Sequence, residues 1–484
     1  MKKRITLAIA MILVFGAVLP RAQEKQSPGA GVIAELKYPE IKWNVPEVGK
    51  EVTRTVLDNG LILYLLENHE LPLISAQALI RTGSVYDPPE KMAVAGITGS
   101  VMRTGGTKSY SPDSLNAILE FIAASVESGI GTESGSASMS VMAGDLDLGL
   151  RILYEVLRYP AFDSAKIELE KSQIKEAIRR RNDHPNSIIS REFGHLIYSD
   201  HPYGRILEWD FVKDISRDDL LRYHRKYYCP NNIMMAFAGD FDTQKVIKKV
   251  KNIFGGWPKA DLSIPPEPRV EYSFNPGVYV IDKKLTQANI MVGHLGIKRD
   301  NPDRYAVSLM NFILGGGSFT SRLTTRVRSD EGLAYSVRSS FDTGSRDYGM
   351  FLASSQTKTP SAYRVLQIFK EEFSKIRREP PTQAEFETAR DAYINNFIFQ
   401  FDSPGQIVNR LMSLEFDNYP PDYYNKYLDN IRAVTVKDIR TAAERYLKPE
   451  SLTIVVLADT SKIAADLSDF GKVANLTLKE PKVD

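Results

Sequence analysis

The chain has 484 residues, 43% of them apolar, which is enough for more than one domain with its own hydrophobic core. Lysine and arginine number 62 against 60 acidic residues, and this near-balance gives no electrostatic case for binding nucleic acid. The one cysteine, Cys229, excludes an internal disulfide and has no partner histidine at a position typical of a thiol protease.

Residues 1–22 have the layout of an export signal. Three cations precede an apolar run at 5–20, and Ala22 can end a cleavage site. The run is shorter than the ~20 residues that a membrane span needs, which favours cleavage over an uncleaved membrane anchor. Cleavage removes four cations and no acid, and it changes the formal charge from +2 to −2. We predict an exported protein, periplasmic or associated with the cell envelope, whose residues 23–51 form an extended lead-in.

Strand and helix patterns then alternate. In chain order, the predicted elements are a strand-like run at 55–67 that carries the hairpin signal Asn59-Gly60, a strand at 72–83, helices at 92–107 and 111–124, strands within 126–142, and helices at 145–159 and 162–181. The polar and small residues of 134–142 indicate an exposed edge strand that an extended peptide can join.

The helix predicted at 92–107 is rich in small residues. It ends at Gly105-Gly106, since two glycines after a periodic apolar stripe are a C-terminal stop. Gly96 and Gly99 lie inside the helix, where a glycine costs about 1 kcal/mol relative to alanine. Such glycines indicate that another backbone approaches closely. On this pattern alone, the helix is a tightly packed core element without chemistry.

An internal repeat sets the domain organisation. Residues 215–240 and 434–459 align without a gap at an offset of 219, and each copy predicts a helix, a proline turn and a buried strand. A repeat of this period indicates a duplicated domain. The predicted fold is α+β, with two homologous domains in a clamshell arrangement, each a mixed or antiparallel sheet packed with helices. These domains are residues 52–256 and 277–480, joined by the proline-rich linker 257–276.

The segment 314–335 of the second half carries a further group of polar residues. Its three consecutive glycines are not a phosphate loop, because no Gly-Lys-Ser/Thr follows, and they indicate a tight turn between packed elements. Arg328 and Tyr335 follow seven residues apart. From composition alone, they are a solvated arginine and a core tyrosine.

The order of the first strands and helix, the duplicated halves, and the short motifs Ser321-Arg322-Leu323 and Gly332-Leu333-Ala334-Tyr335 resemble the insulinase/pitrilysin-type metallopeptidases. In catalytic members, the helix equivalent to 92–107 carries an inverted zinc motif, His-x-x-Glu-His. Its two histidines share one helical face and bind zinc, and its glutamate activates water.

The resemblance places this chain's residues in that pattern one by one. Gly96 and Ser100 stand at the two histidine positions and Gly99 at the general-base position, so the zinc motif is degenerate. Glu176 is the counterpart of the third zinc ligand, a glutamate from a later helix. Arg328 and Tyr335 correspond to a pair that contacts the bound peptide near the scissile bond.

The histidines offer no replacement motif, because no two of the six are three or four residues apart. The resemblance therefore implies a non-catalytic, peptide-binding subunit that holds no cofactor itself. Its partner would be a homologous chain that carries the zinc, in a heterodimer. Two alternatives stay open: a structural scaffold of the same fold without a peptidase role, and an autonomous metallopeptidase with an unrecognised metal site.

Overall fold

The structure, a computed structural model, describes residues 44–483. The predicted export signal at 1–22 and residues 23–43 of the lead-in lie outside this range. Within it, no helix is both long and apolar enough to cross a membrane.

A six-stranded sheet forms the first half. Its strands are β1 (Thr53–Val56), β2 (Ile62–Glu67), β3 (Leu73–Ile80), β4 (Ser125–Ile130), β5 (Gly135–Met142) and β6 (Ile233–Gly239). They lie in the order β1-β2-β6-β3-β5-β4, and β2 and β6 are the parallel pair. The helices are α1 (Val94–Thr104), α2 (Pro112–Phe121), α3 (Leu146–Arg158), α4 (Ser164–Arg179), α5 (Pro185–Tyr198), α6 (Arg217–Tyr227) and α7 (Thr243–Phe254).

A second six-stranded sheet follows residues 257–276, which contain no helix or strand. Its strands are β7 (Gly277–Asp282), β8 (Gln287–Leu295), β9 (Ala334–Phe341), β10 (Met350–Lys358), β11 (Thr453–Ala458) and β12 (Val473–Asn475), in the order β12-β7-β11-β8-β10-β9. The helices are α8 (Arg304–Asn311), α9 (Arg322–Thr324), α10 (Ala362–Arg378), α11 (Gln383–Phe397), α12 (Pro404–Phe416), α13 (Tyr423–Ala433) and α14 (Val436–Tyr446). Two π-helical turns, Phe312–Gly316 and Thr325–Asp330, flank α9.

The predicted duplication is confirmed by the structure. The helices α6 and α14 match residue for residue at the offset of 219. Each begins with the same capping box, in which Ser216 pairs with Asp219 and Thr435 pairs with Asp438. The strands that follow these helices, β6 and β11, each occupy the third position of their sheet. The α+β class and the two homologous halves are therefore as expected.

The two halves exchange helices. Ile188 and Phe193 of α5, from the first half, pack against Val455 and Leu457 of the second sheet. Reciprocally, α12 of the second half packs its apolar residues, Met412 among them, against the first sheet. Both helices begin with a proline, Pro185 and Pro404, again 219 residues apart. The outer face of each sheet is thus covered by a helix of the other half.

The prediction that 134–142 forms an edge strand is wrong. The strand β5 pairs with β3 on one side and with β4 on the other, so its backbone hydrogen bonds are used within the sheet. In the described part of the chain, β4 and β9 are the outermost strands at the corresponding ends of the two sheets.

Candidate functional site

The helix α1 carries the degenerate zinc-motif positions. Gly96 is exposed, and a Cβ atom built there meets no described atom within 4 Å. Gly99 is buried, and a Cβ atom there would lie 2.3 Å from the backbone nitrogen of Ile130 on β4. The close backbone approach predicted for both glycines is therefore found at Gly99, while the space beside Gly96 is open.

Hydrogen bonds hold α1 against β4 on both sides of this contact. Ser128 Oγ donates to the Gly99 carbonyl at 2.7 Å, and Arg103 Nε donates to the Val126 carbonyl at 2.7 Å. Arg103 is buried, and its Nη2 donates to Asn116 Oδ1. The helix is thus fixed to the edge of the sheet at a distance that suits a residue without a side chain.

Glu170 brings a carboxylate to the degenerate motif positions. Ser100 Oγ donates to Glu170 Oε2 at 2.9 Å. Glu176, the residue expected at the third-ligand position, accepts hydrogen bonds from Arg179 of its own helix, α4, and from Arg180, which follows the last residue of that helix. Glu170, six residues before Glu176, therefore contacts the degenerate motif through Ser100, and the correspondence of Glu176 to the third zinc ligand stays a prediction.

A buried carboxyl group lies at the start of α1. Asp87 Oδ1 accepts a hydrogen bond from the Ala95 amide at 3.1 Å, and Asp87 Oδ2 is buried without a partner in the described residues. Burial raises the pKa of Asp87 to about 8, against the lowering effects of the Ala95 amide and Arg205. The folded protein therefore holds this proton at pH 7, whereas the unfolded chain releases it near pH 3.8.

The variant Asp87→Asn tests this assignment. Because the folded-state pKa is raised, ionisation of Asp87 costs stability as the pH rises from about 4 to about 8. Asparagine removes that cost, and each pKa unit corresponds to about 1.4 kcal/mol. We compare the free energy of unfolding of the variant with that of the parent at pH 5 and at pH 8.5. The variant's advantage over the parent is expected to be larger at pH 8.5 by more than about 1.4 kcal/mol. Urea titrations measure it. Parallel pH curves for the two proteins would contradict a buried, protonated Asp87.

Two of the three arginines in the segment 322–328 are neutralised by the protein. Arg322 donates to both carboxylate oxygens of Glu385, at 2.6 and 2.9 Å. Burial alone would raise the pKa of Glu385, but the hydrogen bonds from Arg322 and Thr382 bring it down to about 2. Arg326 pairs with Glu371 and Glu372 at 2.7 and 2.9 Å. These pairs anchor the segment to α10 and α11 and neutralise the charges of both arginines.

Arg328 is the exception. Its guanidinium carbon lies 4.5 Å from the ring centre of Phe319 and 4.6 Å from that of Tyr335. No described carboxylate forms an ion pair with it, so its charge is stabilised by the two rings alone. Both rings face solvent, with exposed fractions of 62% for Phe319 and 82% for Tyr335. The structure therefore brings the predicted pair, Arg328 and Tyr335, into direct contact on an open surface.

A β-bulge turns Tyr335 outward. The pairing of β9 with β10 runs from Ser336 opposite Gln356 to Ala334 opposite Thr357, which leaves Tyr335 as an extra residue. In strict alternation Tyr335 would share the buried face of β9 with Val337. The bulge breaks that alternation and re-aims the side chain, as bulges beside functional sites do.

These side chains line a groove of about 410 Å³ beside β9. The glycine segment forms one wall and approaches closely, since a Cβ atom on Gly315 would lie 2.7 Å from the Ser339 nitrogen. The charged residues that line the groove are Arg328 and Arg338, and no acidic residue joins them. The sequence did not single out Phe319 and Arg338, because neither belongs to a motif. Only their position in the structure, on the surface of the groove, identifies them.

The two glycine-rich elements are equivalents of each other. The strands against which they pack, β4 and β9, are the outermost strands at the corresponding ends of the two sheets. Each element packs a glycine against an outermost strand, Gly99 against β4 and Gly315 against β9. The degenerate motif and the arginine–tyrosine groove therefore occupy corresponding places in the two halves.

The histidines do not converge. Across residues 44–483, no three His, Cys, Asp or Glu side chains are grouped as a metal ion would need. Burial lowers the pKa of His224 and His294 to about 4, so both are neutral and serve the core. His201 precedes the short helical turn Pro202–Gly204, where one ring nitrogen accepts from the Tyr203 amide and the other donates to the Pro268 carbonyl.

Comparison with known sequences decides the family. The model of the insulinase family, peptidase family M16, matches residues 65–209, and that of the peptidase M16 inactive domain matches residues 214–393. The chain belongs to peptidase family M16. The two α+β halves are thus an M16 fold. The degenerate helix lies in the part that matches the insulinase model, and the inactive-domain model matches residues after it.

Individual M16 relatives carry differing names. The chain is 26% identical to a Streptomyces coelicolor protein named as an uncharacterized zinc protease, over 84% of this chain and 89% of that protein. It is 24% identical to the non-peptidase homolog YmxG of Helicobacter pylori, over 82% of this chain and 91% of the relative. A solved structure, the peptidase M16 inactive domain from Pseudomonas fluorescens, superposes with a TM-score of 0.75 at 24% identity and covers 84% of this chain and 97% of that one.

Proposed function

We propose that this chain is the non-catalytic, peptide-binding subunit of an exported M16 zinc peptidase. It pairs with a homologous chain that carries the zinc and supplies Arg328 and Tyr335 to the peptide bound between them. The export signal pattern at 1–22 supports a periplasmic or envelope location.

The observation that carries the proposal is the state of Arg328. A cation without a carboxylate partner among residues 44–483, stacked between two exposed rings, is available to a ligand, whereas Arg322 and Arg326 are paired with carboxylates. The stacking fixes the position of Arg328 and leaves its N–H groups free to donate. Such an arrangement suits a peptide carbonyl. The carbonyl accepts hydrogen bonds from the free N–H groups, and because it is neutral it leaves the charge of Arg328 to the two rings that stabilise it.

The chemistry expected of the pair follows from its donors. Arg328 can hold the peptide carbonyl, and the Tyr335 hydroxyl can donate to the oxygen on which negative charge develops as water attacks. Zinc in the partner would activate that water. In this chain, Gly96, Gly99 and Ser100 offer no imidazole and no carboxylate at the motif positions, which supports a division of labour between two chains.

The first test concerns the isolated chain. Purified alone, it is expected to bind zinc no better than background and to cleave no unstructured peptide, because the motif positions lack ligands. Metal analysis after dialysis and a peptidase assay measure both properties. Stoichiometric zinc that survives dialysis would contradict the proposal and favour an autonomous enzyme. Co-purification from the native host then identifies the partner, which should contain an intact His-x-x-Glu-His motif.

A further inference from the structure

A second depression lies on the first half of the chain. All the charged residues that line it are cations. It has a volume of about 650 Å³ and lies where α3 ends, beside α6 and the start of the linker. The cations are Lys108, Arg158, Arg217, Arg225 and Lys259, and no aspartate or glutamate lines this basic pocket.

None of these five side chains has an ion-pair partner among the described residues. The chain as a whole has nearly one acid for every base, and most of its other arginines are paired. Like charges gathered in a concavity repel one another, so they cost stability unless an anion occupies it. The basic pocket therefore departs from the composition of the rest of the surface.

Two of the arginines are already ordered by the protein. Arg217 donates to the Ala161 carbonyl at 2.8 Å and to the Phe162 carbonyl at 3.1 Å. Arg158 stacks 4.8 Å from the ring centre of Tyr159 and also contacts the Trp257 ring. Because these contacts are to neutral groups, they fix the guanidinium groups in place and leave their charge available. A ligand that binds here would not have to order these side chains itself.

We propose that the basic pocket binds a small oxyanion with two or more phosphate or carboxylate groups. The planar fork of arginine matches both groups, and several cations in one concavity favour a multivalent anion over a monovalent one. The site belongs to a different half of the chain from Arg328 and Tyr335 and does not depend on the peptidase role.

The experiment is isothermal titration of the full-length mature chain with pyrophosphate and, in a separate arm, with citrate. We expect saturable binding of at least one anion at roughly 0.1 M salt, and the arm that binds more tightly distinguishes a phosphate ligand from a carboxylate ligand. Arg225→Gln is expected to weaken that binding by about tenfold or more, as loss of a hydrogen bond to a charged group does. The Arg225 side chain has no hydrogen bond or ion pair in the described structure, so this variant should fold normally.

Lys248→Gln is the matched control. Lys248 is exposed on α7 of the same half, and its replacement removes the same unit of charge outside the pocket. We expect affinity for the anion to stay within about twofold of the parent, since exposed charges beyond a Debye length of roughly 10 Å are screened. Equal weakening by both variants would show general electrostatic attraction and overturn the proposal, as would the absence of binding in both arms.

Discussion

Replacement of Tyr335 by phenylalanine is expected to lower the kcat of the reconstituted two-chain peptidase by about 10²- to 10³-fold, the usual effect of removing one oxyanion donor. The ring stays in place, so its contact with Arg328 and the bulge that exposes it are retained. The loss would therefore report the hydroxyl group alone. Steady-state cleavage of an unstructured peptide measures it, with assembly checked by size. Tyr272→Phe is the matched control, because Tyr272 is also partly exposed but lies outside the groove.

Arg328→Ala is expected to raise KM as well as lower kcat, because the guanidinium contacts the peptide before and during the reaction. It also removes the cation between Phe319 and Tyr335, so a larger loss than for Tyr335→Phe is expected. Arg378→Ala serves as the control, since Arg378 is an exposed arginine at the end of α10. Full activity of both groove variants would contradict the substrate-binding role and favour a scaffold without a peptidase function.

Local signals explain why so much of the fold could be predicted. The capping boxes at Ser216 and Thr435, and the prolines that follow each helix, fix element ends within a few residues of sequence. Their recurrence at a constant offset also revealed the duplication. The Asn59-Gly60 turn between β1 and β2 is of the same kind, with Gly60 in the left-handed region at φ +87°.

Features that depend on tertiary pairing could not be predicted in this way. The small and polar residues of β5 suggest an edge, yet β4 covers it, because strand order depends on contacts between distant segments. Which arginine of 322–328 is free depends on Glu371, Glu372 and Glu385, which come from helices more than forty residues later. The packing of α5 and α12 on the sheet of the other half could not be predicted either. The periodicity of each helix shows that it has an apolar face, but not which sheet that face covers.

The exposure of Tyr335 also depends on pairing between strands and could not be predicted from its own strand. The alternation of β9 places it on the buried face, and only the pairing with β10 reveals the bulge that exposes it. The resemblance to the M16 family singled out Tyr335, but the reason for its exposure is a property of the sheet.

Gly99→Ala and Gly96→Ala are expected to change stability in opposite directions. At Gly96 the new methyl group meets open space, so the gain in helix propensity over glycine, about 1 kcal/mol, should appear as increased stability. At Gly99 the methyl group would lie 2.3 Å from the Ile130 nitrogen, and backbone cannot yield as a flexible side chain does. Overpacking of this kind costs about 1–3 kcal/mol, which exceeds the propensity gain. Urea unfolding of the two variants at one pH measures the difference.

The same contact decides whether the zinc motif can be rebuilt. Gly96→His adds a side chain where there is room, whereas Gly99→Glu forces α1 away from β4 and strains the hydrogen bonds that Ser128 and Arg103 make across the contact. The triple variant with Ser100→His is therefore expected to be less stable than the parent and to cleave no peptide. If Gly99→Ala is instead as stable as Gly96→Ala, the packing of α1 on β4 is not what requires glycine, and the barrier to restoring the motif lies in the ligand set alone.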